Sequence, residues 1–131
     1  MSEKAILCVD DEPMVLKSLR DQISRNFGHK YACEIASGVE EAWEVIEELY
    51  GEGIKVLLIV SDWLMPGVKG DAFLIEVHQK FPDIVTVLLT GQADEAAIAR
   101  TRSEANLYAC LSKPWSEDEL FNTIETSLNQ H

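Results

Sequence analysis

Basic residues are scarce in this sequence, and long apolar runs are missing. Lys and Arg together number 11 against 23 Asp and Glu, which gives a net charge of −12 over 131 residues. Because proteins that grip a phosphate backbone carry a basic patch, we expect this domain to bind no nucleic acid. A membrane-spanning helix needs roughly 20 apolar residues, and a signal peptide needs an apolar core near the N-terminus. The sequence has neither, so we expect a cytoplasmic protein with no membrane partner.

Closely spaced cysteine pairs are also missing. Cys8, Cys33 and Cys110 lie far apart, which argues against a zinc or redox motif. Each lies in an apolar run, where a free cysteine behaves as a small buried hydrophobe and fits a reducing compartment. The chain is 47% hydrophobic, enough for an ordinary core. Its length predicts a single domain over residues 1–131.

Short apolar runs alternate with stretches of helical periodicity along the whole sequence. Such alternation is typical of a parallel sheet covered by helices on both faces, and right-handed crossovers leave few possible strand orders. Two Ser-x-x-Glu patterns, Ser37 with Glu40 and Ser116 with Glu119, predict helix starts. The predicted strands are 5–9, 31–36, 54–60, 84–89 and 107–111, and the predicted helices are 13–27, 37–49, 70–80, 93–102 and 116–128.

Candidate site residues follow four of the five predicted strands, whereas the second strand ends in Ala36-Ser37 and adds no charge. Asp10 and Asp11 follow the first strand, Asp62 the third, Thr90 the fourth and Lys113 the fifth. Because the carboxyl ends of parallel strands lie at one edge of a sheet, these side chains should surround a single crevice. Clustered carboxylates need a cation, and oxygen ligands favour a hard ion such as Mg²⁺.

A nucleophilic role for Asp62 follows from this setting. An ionised aspartate can attack phosphorus when a metal ion offsets the repulsion between two anions. Phosphoryl transfer otherwise requires positioning and stabilisation of charge on the moving oxygens, which the ammonium of Lys113 and the hydroxyl of Thr90 can supply. The sequence therefore predicts that Asp62 accepts a phosphoryl group.

The motifs at these strand ends resemble those of the receiver domains of two-component response regulators, over essentially the full length. The resemblance implies a flavodoxin-like, doubly wound fold with a five-stranded parallel sheet of order 2-1-3-4-5 and five helices. It also implies a signalling domain that catalyses only its own phosphotransfer and slow autodephosphorylation. The matching motifs are Asp-Asp-Glu-Pro at 10–13, Asp-x-x-Met-Pro-x-x-x-Gly at 62–70, Leu-Thr-Gly at 89–91 and Lys-Pro at 113–114.

The resemblance further assigns a metal site. Asp11 and Asp62 would ligate Mg²⁺ directly, together with the backbone carbonyl of Leu64. Asp10 would act through a bound water molecule.

Phosphate contacts and partners are implied in the same way. Lys113 would pair with the phosphoryl group on Asp62, and Thr90 would hydrogen-bond to it and shift on activation. The donor would be a sensor histidine kinase or a phosphotransfer protein. The receiver would then regulate an output domain or an effector protein, or form a homodimer through the 93–130 face.

Two positions depart from the family pattern. Cys110 stands three residues before the lysine, where the family often has an aromatic switch residue. Strand alternation predicts that Tyr108 shares a face with Cys110 and could partly substitute. Leu64, two residues after Asp62, cannot hold an attacking water molecule, so we predict slow loss of phosphate.

Two other functions compete with this hypothesis. A phosphatase with an aspartyl-phosphate intermediate usually needs a second acid near its nucleophile, commonly two residues on. Leu64 occupies that position and disfavours the enzyme. A receiver-like docking module that works without phosphorylation needs no acidic cluster, so the cluster disfavours it. Trp63 and Trp115 remain open between anchors for a partner and partly buried rings beside the site.

Overall fold

The computed structural model describes residues 4–28, 30–63, 65, 67, 69–91 and 95–129. Strands and helices alternate throughout this part of the chain, as the sequence predicts. The strands are β1 (Lys4–Val9), β2 (Ala32–Ala36), β3 (Lys55–Asp62), β4 (Val85–Thr90) and β5 (Leu107–Ser112). The helices are α1 (Pro13–Phe27), α2 (Val39–Gly51), α3 (Gly70–Lys80), α4 (Glu95–Glu104) and α5 (Glu117–Asn129).

All strand pairs in the sheet are parallel, and the strand order is β2-β1-β3-β4-β5. This confirms the predicted doubly wound architecture. Successive side chains of a strand point to opposite faces, so Ile6 and Leu7 enter different apolar clusters on the two sides of the sheet. The central strands are buried because helices cover both faces, which explains why they are almost continuously apolar in sequence.

The helix ends follow the sequence signals with one exception. Ser116 and Glu119 form the predicted capping box, in which each side chain bonds the backbone N–H of the other at 3.1 and 3.2 Å. The predicted pairing of Ser37 with Glu40 is wrong. The Ser37 hydroxyl instead contacts Glu41 at 3.0 Å, because α2 begins one residue later, after Gly38.

Strand β5 contains an irregularity that changes the faces of its side chains. Thr86 pairs with Leu107 but Val87 pairs with Ala109, so one residue of β5 is unmatched in between. A bulge of this kind breaks the period of two. Tyr108 therefore packs against one apolar cluster and Cys110 against the other. The prediction that the two side chains share a face is wrong.

Helix α4 has the fewest buried residues of the five helices. Thr101 is its only buried residue. The predicted segment 93–102 agrees with α4 from Glu95 to Arg102, and the helix continues to Glu104, two residues beyond the prediction. Residues 93 and 94 lie outside the described part of the chain. Among the helices that the structure describes, none combines the length and the apolar character needed to cross a membrane.

Candidate functional site

Three carboxylates meet at the carboxyl edge of the sheet. Asp10 and Asp11 follow β1 directly, and Asp62 is the last residue of β3. One oxygen of each lies within 4.8 Å of an oxygen of the others. Asp10 is fully buried and Asp62 is 4% exposed, whereas Asp11 faces solvent. The structure thus brings together the acids that the sequence predicts at this edge.

Lys113 completes the cluster from the end of β5. Its Nζ lies 2.8 Å from Oδ2 of Asp10 and 3.1 Å from Oδ1 of Asp62. A third carboxylate, Glu12, lies 3.6 Å away. The lysine side chain is only 18% exposed, so these contacts are poorly screened by water. A single ammonium group therefore bridges the carboxyl group that follows β1 and the one that ends β3.

The pKa values of these groups reflect burial and charge. Burial raises the pKa of Asp62 to about 6, and the neighbouring Asp10 carboxylate adds to the rise while Lys113 opposes it. Burial also raises the pKa of Asp10, against the hydrogen bond from Lys113. Burial disfavours the charge of Lys113, but its bonds to the two carboxylates outweigh this and raise its pKa. One ammonium group leaves an excess of negative charge in the cluster.

Backbone hydrogen bonds between strand ends fix the frame of the site. The N–H of Lys113 donates to the carbonyl of Thr90 at 2.9 Å, so the backbone of the lysine lies beside the end of β4. Thr90 is buried there, in register with Ser112. The Ser61 hydroxyl, which sequence reasoning did not single out, donates to the carbonyl oxygen of Asp62 at 3.0 Å. The first contact ties the end of β5 to the end of β4, and the second holds the backbone carbonyl of Asp62.

Gly70 is required by a close approach of two backbone segments. Its N–H donates to the carbonyl of Trp63 at 2.8 Å. A Cβ atom at Gly70 would overlap the carbonyl oxygen of Asp62, so no larger residue fits without moving the backbone. The start of α3 is thereby pressed against the end of β3, beside the candidate phosphoacceptor.

The donor set fits a hard divalent cation. Asp10, Asp11 and Asp62 offer carboxylate oxygens that are close enough to share one ion, and Mg²⁺ needs only one or two carboxylates because it keeps several waters. The excess of buried negative charge gives a physical reason for such an ion. Leu64, whose carbonyl the sequence resemblance adds to this set, lies outside the described residues.

An ion pair near the site was not predicted from the sequence. Arg100 of α4 contacts Oδ2 of the buried Asp71 at 2.5 Å. Oδ1 of Asp71 and Nε1 of Trp63 are buried without a hydrogen-bond partner among the described residues. In sequence, Asp71 resembles an ordinary acidic residue of a first helical turn and Arg100 a solvated arginine. Neither carries a signal that predicts the contact.

The two tryptophans beside the site are packed within the domain rather than exposed on its surface. Trp63 is buried in the cluster on the α3 side of the sheet. Trp115 is half-buried, and its ring N–H donates to Gln22 of α1 at 2.8 Å. The structure therefore favours the interpretation of both as rings that flank the site.

An acidic pocket with one bridging lysine, at the carboxyl edge of a 2-1-3-4-5 sheet, defines the class of phosphoryl-accepting switch domains with a flavodoxin-like fold. The family model described as "Response regulator receiver domain" matches residues 6–125. The chain belongs to this family and is a receiver domain of two-component signalling.

Named relatives agree with this assignment. The chain is 31% identical over 130 residues to the hydrogenase transcriptional regulatory protein HoxA of Cupriavidus necator, covering 98% of this chain and 25% of HoxA. It is 35% identical over 126 residues to the sensor kinase CckA of Brucella abortus, covering 95% of this chain and 12% of CckA. The chain thus spans only a small part of these relatives.

Solved structures support the same fold. The crystal structure of the signal receiver domain of an HD domain-containing protein from Pseudomonas fluorescens superimposes with a TM-score of 0.85 at 28% identity. The match covers 97% of this chain and 95% of that one. The similarity therefore extends over the whole sheet and its helices.

Proposed function

We propose that this receiver domain accepts a phosphoryl group on Asp62 from a histidine kinase or a phosphotransfer protein. The observation that supports this most is the position of Asp62, which ends β3 within the carboxylate cluster and contacts Lys113 at 3.1 Å. Asp10 shares these contacts but is fully buried, whereas Asp62 keeps 4% of its surface exposed. A carboxylate with a pKa of about 6 is mostly ionised at neutral pH and is therefore a competent nucleophile.

The surrounding residues divide the remaining tasks. Asp11 and Asp62 would hold Mg²⁺, and Asp10 would contribute through a water molecule while its Oδ2 stays paired with Lys113. When bound, Mg²⁺ supplies the positive charge that lets two anions approach. After transfer, the Lys113 ammonium contacts the phosphoryl oxygens, and the buried Thr90 hydroxyl moves toward them. Lys113 loses part of its bond to Asp62 in this step, which alters the balance of charge in the pocket.

We propose that the switch regulates an output domain or effector through the 93–130 face, either directly or by forming a homodimer. This face includes α4, the helix with the fewest buried residues. An element with little apolar contact opens at low cost, which suits a part that moves. The 131 residues act as one receiver domain in the cytoplasm. This domain catalyses only its own phosphotransfer and slow autodephosphorylation.

The proposal is tested by incubating the protein with acetyl phosphate and Mg²⁺ and measuring the intact mass. We expect one added phosphoryl group on the wild type and none on Asp62→Asn. Asp118→Asn, which removes an exposed acid from α5, is the matched control and should be phosphorylated like the wild type. A wild type that gains no mass contradicts the proposal. If Asp62→Asn left regulation of the partner intact, the phosphorylation-independent docking module would replace it.

The lifetime of the phosphoryl group gives a second prediction. Because an apolar side chain at Leu64 cannot orient an attacking water molecule, Leu64→Asn should release phosphate about tenfold faster or more. A phosphate-release assay on the phosphorylated domain measures this rate, with Leu64→Met as the control that keeps an apolar group. An unchanged or slower rate in Leu64→Asn would contradict the role given to Leu64.

A further inference from the structure

The outer surface of α2 carries strong negative charge. Glu40, Glu41, Glu44, Glu47 and Glu48 are all exposed, and the helix has no Lys or Arg. Within the part of the chain that the structure describes, none of these carboxylates forms an ion pair. Like charges at positions i and i+4 of a helix are unfavourable, so the helix carries this charge at a cost to its own stability.

A partly exposed aromatic seam borders this charge. Tyr50 of α2 stacks on Phe81, which follows α3, with centroids 5.0 Å apart and planes 5° from parallel. The ring centroid of Trp43 lies 6.5 Å from that of Phe81. Tyr50 is 38% exposed, an unusual exposure for an aromatic side chain of this domain. A groove of about 290 Å³ follows the seam, and Trp43, Ile46, Glu47, Tyr50, Lys80 and Phe81 line it.

Helical spacing places the acidic residues of α2 and the aromatic seam side by side. Glu40, Glu44 and Glu47 lie on one line along α2, at positions i, i+4 and i+7. Trp43 and Tyr50 lie seven residues apart on the neighbouring line. Glu47 belongs to the acidic line and also lines the groove. The surface of α2 is therefore amphipathic, with an acidic stripe along one side of an aromatic groove.

The charge of the stripe restricts what can occupy the groove. A second copy of the chain would bring two acidic stripes together, and nucleic acid or an anionic membrane would be repelled in the same way. A cationic protein segment is attracted. Lys80 does not cancel this preference, because its Nζ lies over the Trp43 ring at 4.8 Å and near Glu76 at 3.9 Å.

We infer that α2 and Phe81 form a docking surface for a basic amphipathic segment of a partner protein. Apolar side chains of that segment occupy the groove, and its Lys and Arg side chains face Glu40, Glu44 and Glu47. The groove lies where α2 and α3 end, at the opposite edge of the sheet from Asp62. The groove is therefore remote from Asp62, whereas the Glu40 end of the stripe lies near Gly67 of the loop that follows Asp62.

A charge-neutralising variant tests the acidic stripe. The probe is a synthetic amphipathic helical peptide with Leu and Trp on one face and Lys and Arg on the other, and fluorescence anisotropy gives its Kd. The triple change Glu40→Gln, Glu44→Gln and Glu47→Gln should raise the Kd of the peptide about tenfold, because it removes three ion pairs of modest strength. The control is a second triple variant, Glu95→Gln, Asp118→Asn and Glu125→Gln, which alters the net charge by the same amount. Its Kd should differ from that of the wild type by less than threefold. Equal losses in the two triple variants overturn the inference.

A second variant tests the groove. Tyr50→Ser removes an exposed ring from the seam, and Met14→Ser removes a side chain that is 75% exposed elsewhere, as the control. We expect weaker peptide binding for Tyr50→Ser alone, and amide chemical shifts that change on α2 and around Phe81. Shifts confined to other surfaces overturn the inference. Self-association that Tyr50→Ser abolishes, or binding of anionic vesicles through this surface, overturns it as well.

Discussion

Two contacts between neighbouring helices, α1 with α5 and α3 with α4, are built very differently. Between α1 and α5, Phe27 stacks on Phe121 with centroids 5.2 Å apart. Arg25 contacts both oxygens of Glu117 at 2.6 and 3.0 Å, and Asn26 adds a bond of 2.9 Å to the same carboxylate. Between α3 and α4, the described polar contact is the Arg100–Asp71 pair, with Asp71 buried.

The difference shows which helix can respond to the site. The α1–α5 contact spreads over rings, charges and an amide, so the loss of any one leaves the others. The α3–α4 contact concentrates its polar part in one pair, and α4 buries only Thr101. Because Asp71 lies in the first turn of α3, just after the loop that follows Asp62, a change at the pocket can reach this pair. We therefore expect α4 to move and α1 and α5 to form the frame.

The largest effect is expected from Arg100→Ala. This change leaves the buried Asp71 carboxylate without its charged partner. Breaking a buried pair is costly, but Arg100 is half exposed, so we expect a loss of about 2 kcal/mol in the free energy of unfolding. Urea denaturation measures the loss, and hydrogen exchange should accelerate in α4.

The control for this prediction is Arg102→Ala. Arg102 is exposed on the same helix and forms no ion pair among the described residues. Its removal should change stability by less than about 0.5 kcal/mol. If the two arginine variants were equally stable, the contrast between the two helix contacts would be lost.

The next largest effect concerns the acidic pocket at the carboxyl edge of the sheet. Asp62 must be ionised to bind Mg²⁺, and its pKa is raised to about 6, mainly by burial. Protons therefore compete with the metal below pH 6. The affinity for Mg²⁺ should rise about tenfold from pH 5 to pH 7. Tryptophan fluorescence can follow the titration, and a pH-independent affinity would contradict the assignment of Asp62 as a ligand.

The same raised pKa determines the sign of the effect on stability. Between about pH 4 and pH 6, the folded metal-free protein binds more protons at Asp62 than the unfolded chain. The contribution of Asp62 to stability is therefore complete at low pH and is lost as the pH rises through about 6. Bound Mg²⁺ should reverse this loss.

The smallest measurable effect is expected between α1 and α5. Trp115→Phe removes the hydrogen bond to Gln22 and keeps an aromatic ring, so it should cost about 1 kcal/mol in urea denaturation. Glu117→Gln, which weakens an exposed pair, should leave the denaturation midpoint unchanged within error. A loss for Trp115→Phe larger than that for Arg100→Ala would reverse the comparison.

Much of the site can be predicted from the sequence because it depends on strand ends. Once the apolar runs identify five parallel strands, the positions of Asp10, Asp62 and Lys113 follow from topology alone. The Ser116–Glu119 cap is local and was also predicted correctly.

The features that were missed depend on tertiary detail. The bulge in β5 that separates Tyr108 from Cys110 arises from pairing with β4, and no turn residue marks it in the sequence. Asp71 and Arg100 lie 29 residues apart, and each looks like an ordinary helix-surface charge until α3 and α4 are packed together. The Ser37 hydroxyl contacts Glu41 rather than Glu40 because α2 begins one residue later than predicted.

The most direct test of the account is the intact mass after incubation with acetyl phosphate and Mg²⁺, followed by hydrogen exchange on the same sample. We predict one phosphoryl group on the wild type, none on Asp62→Asn, and faster exchange in α4 than in α1 or α5 of the phosphorylated form. Phosphorylation that persists in Asp62→Asn, or a wild type that stays unmodified, would contradict the central claim.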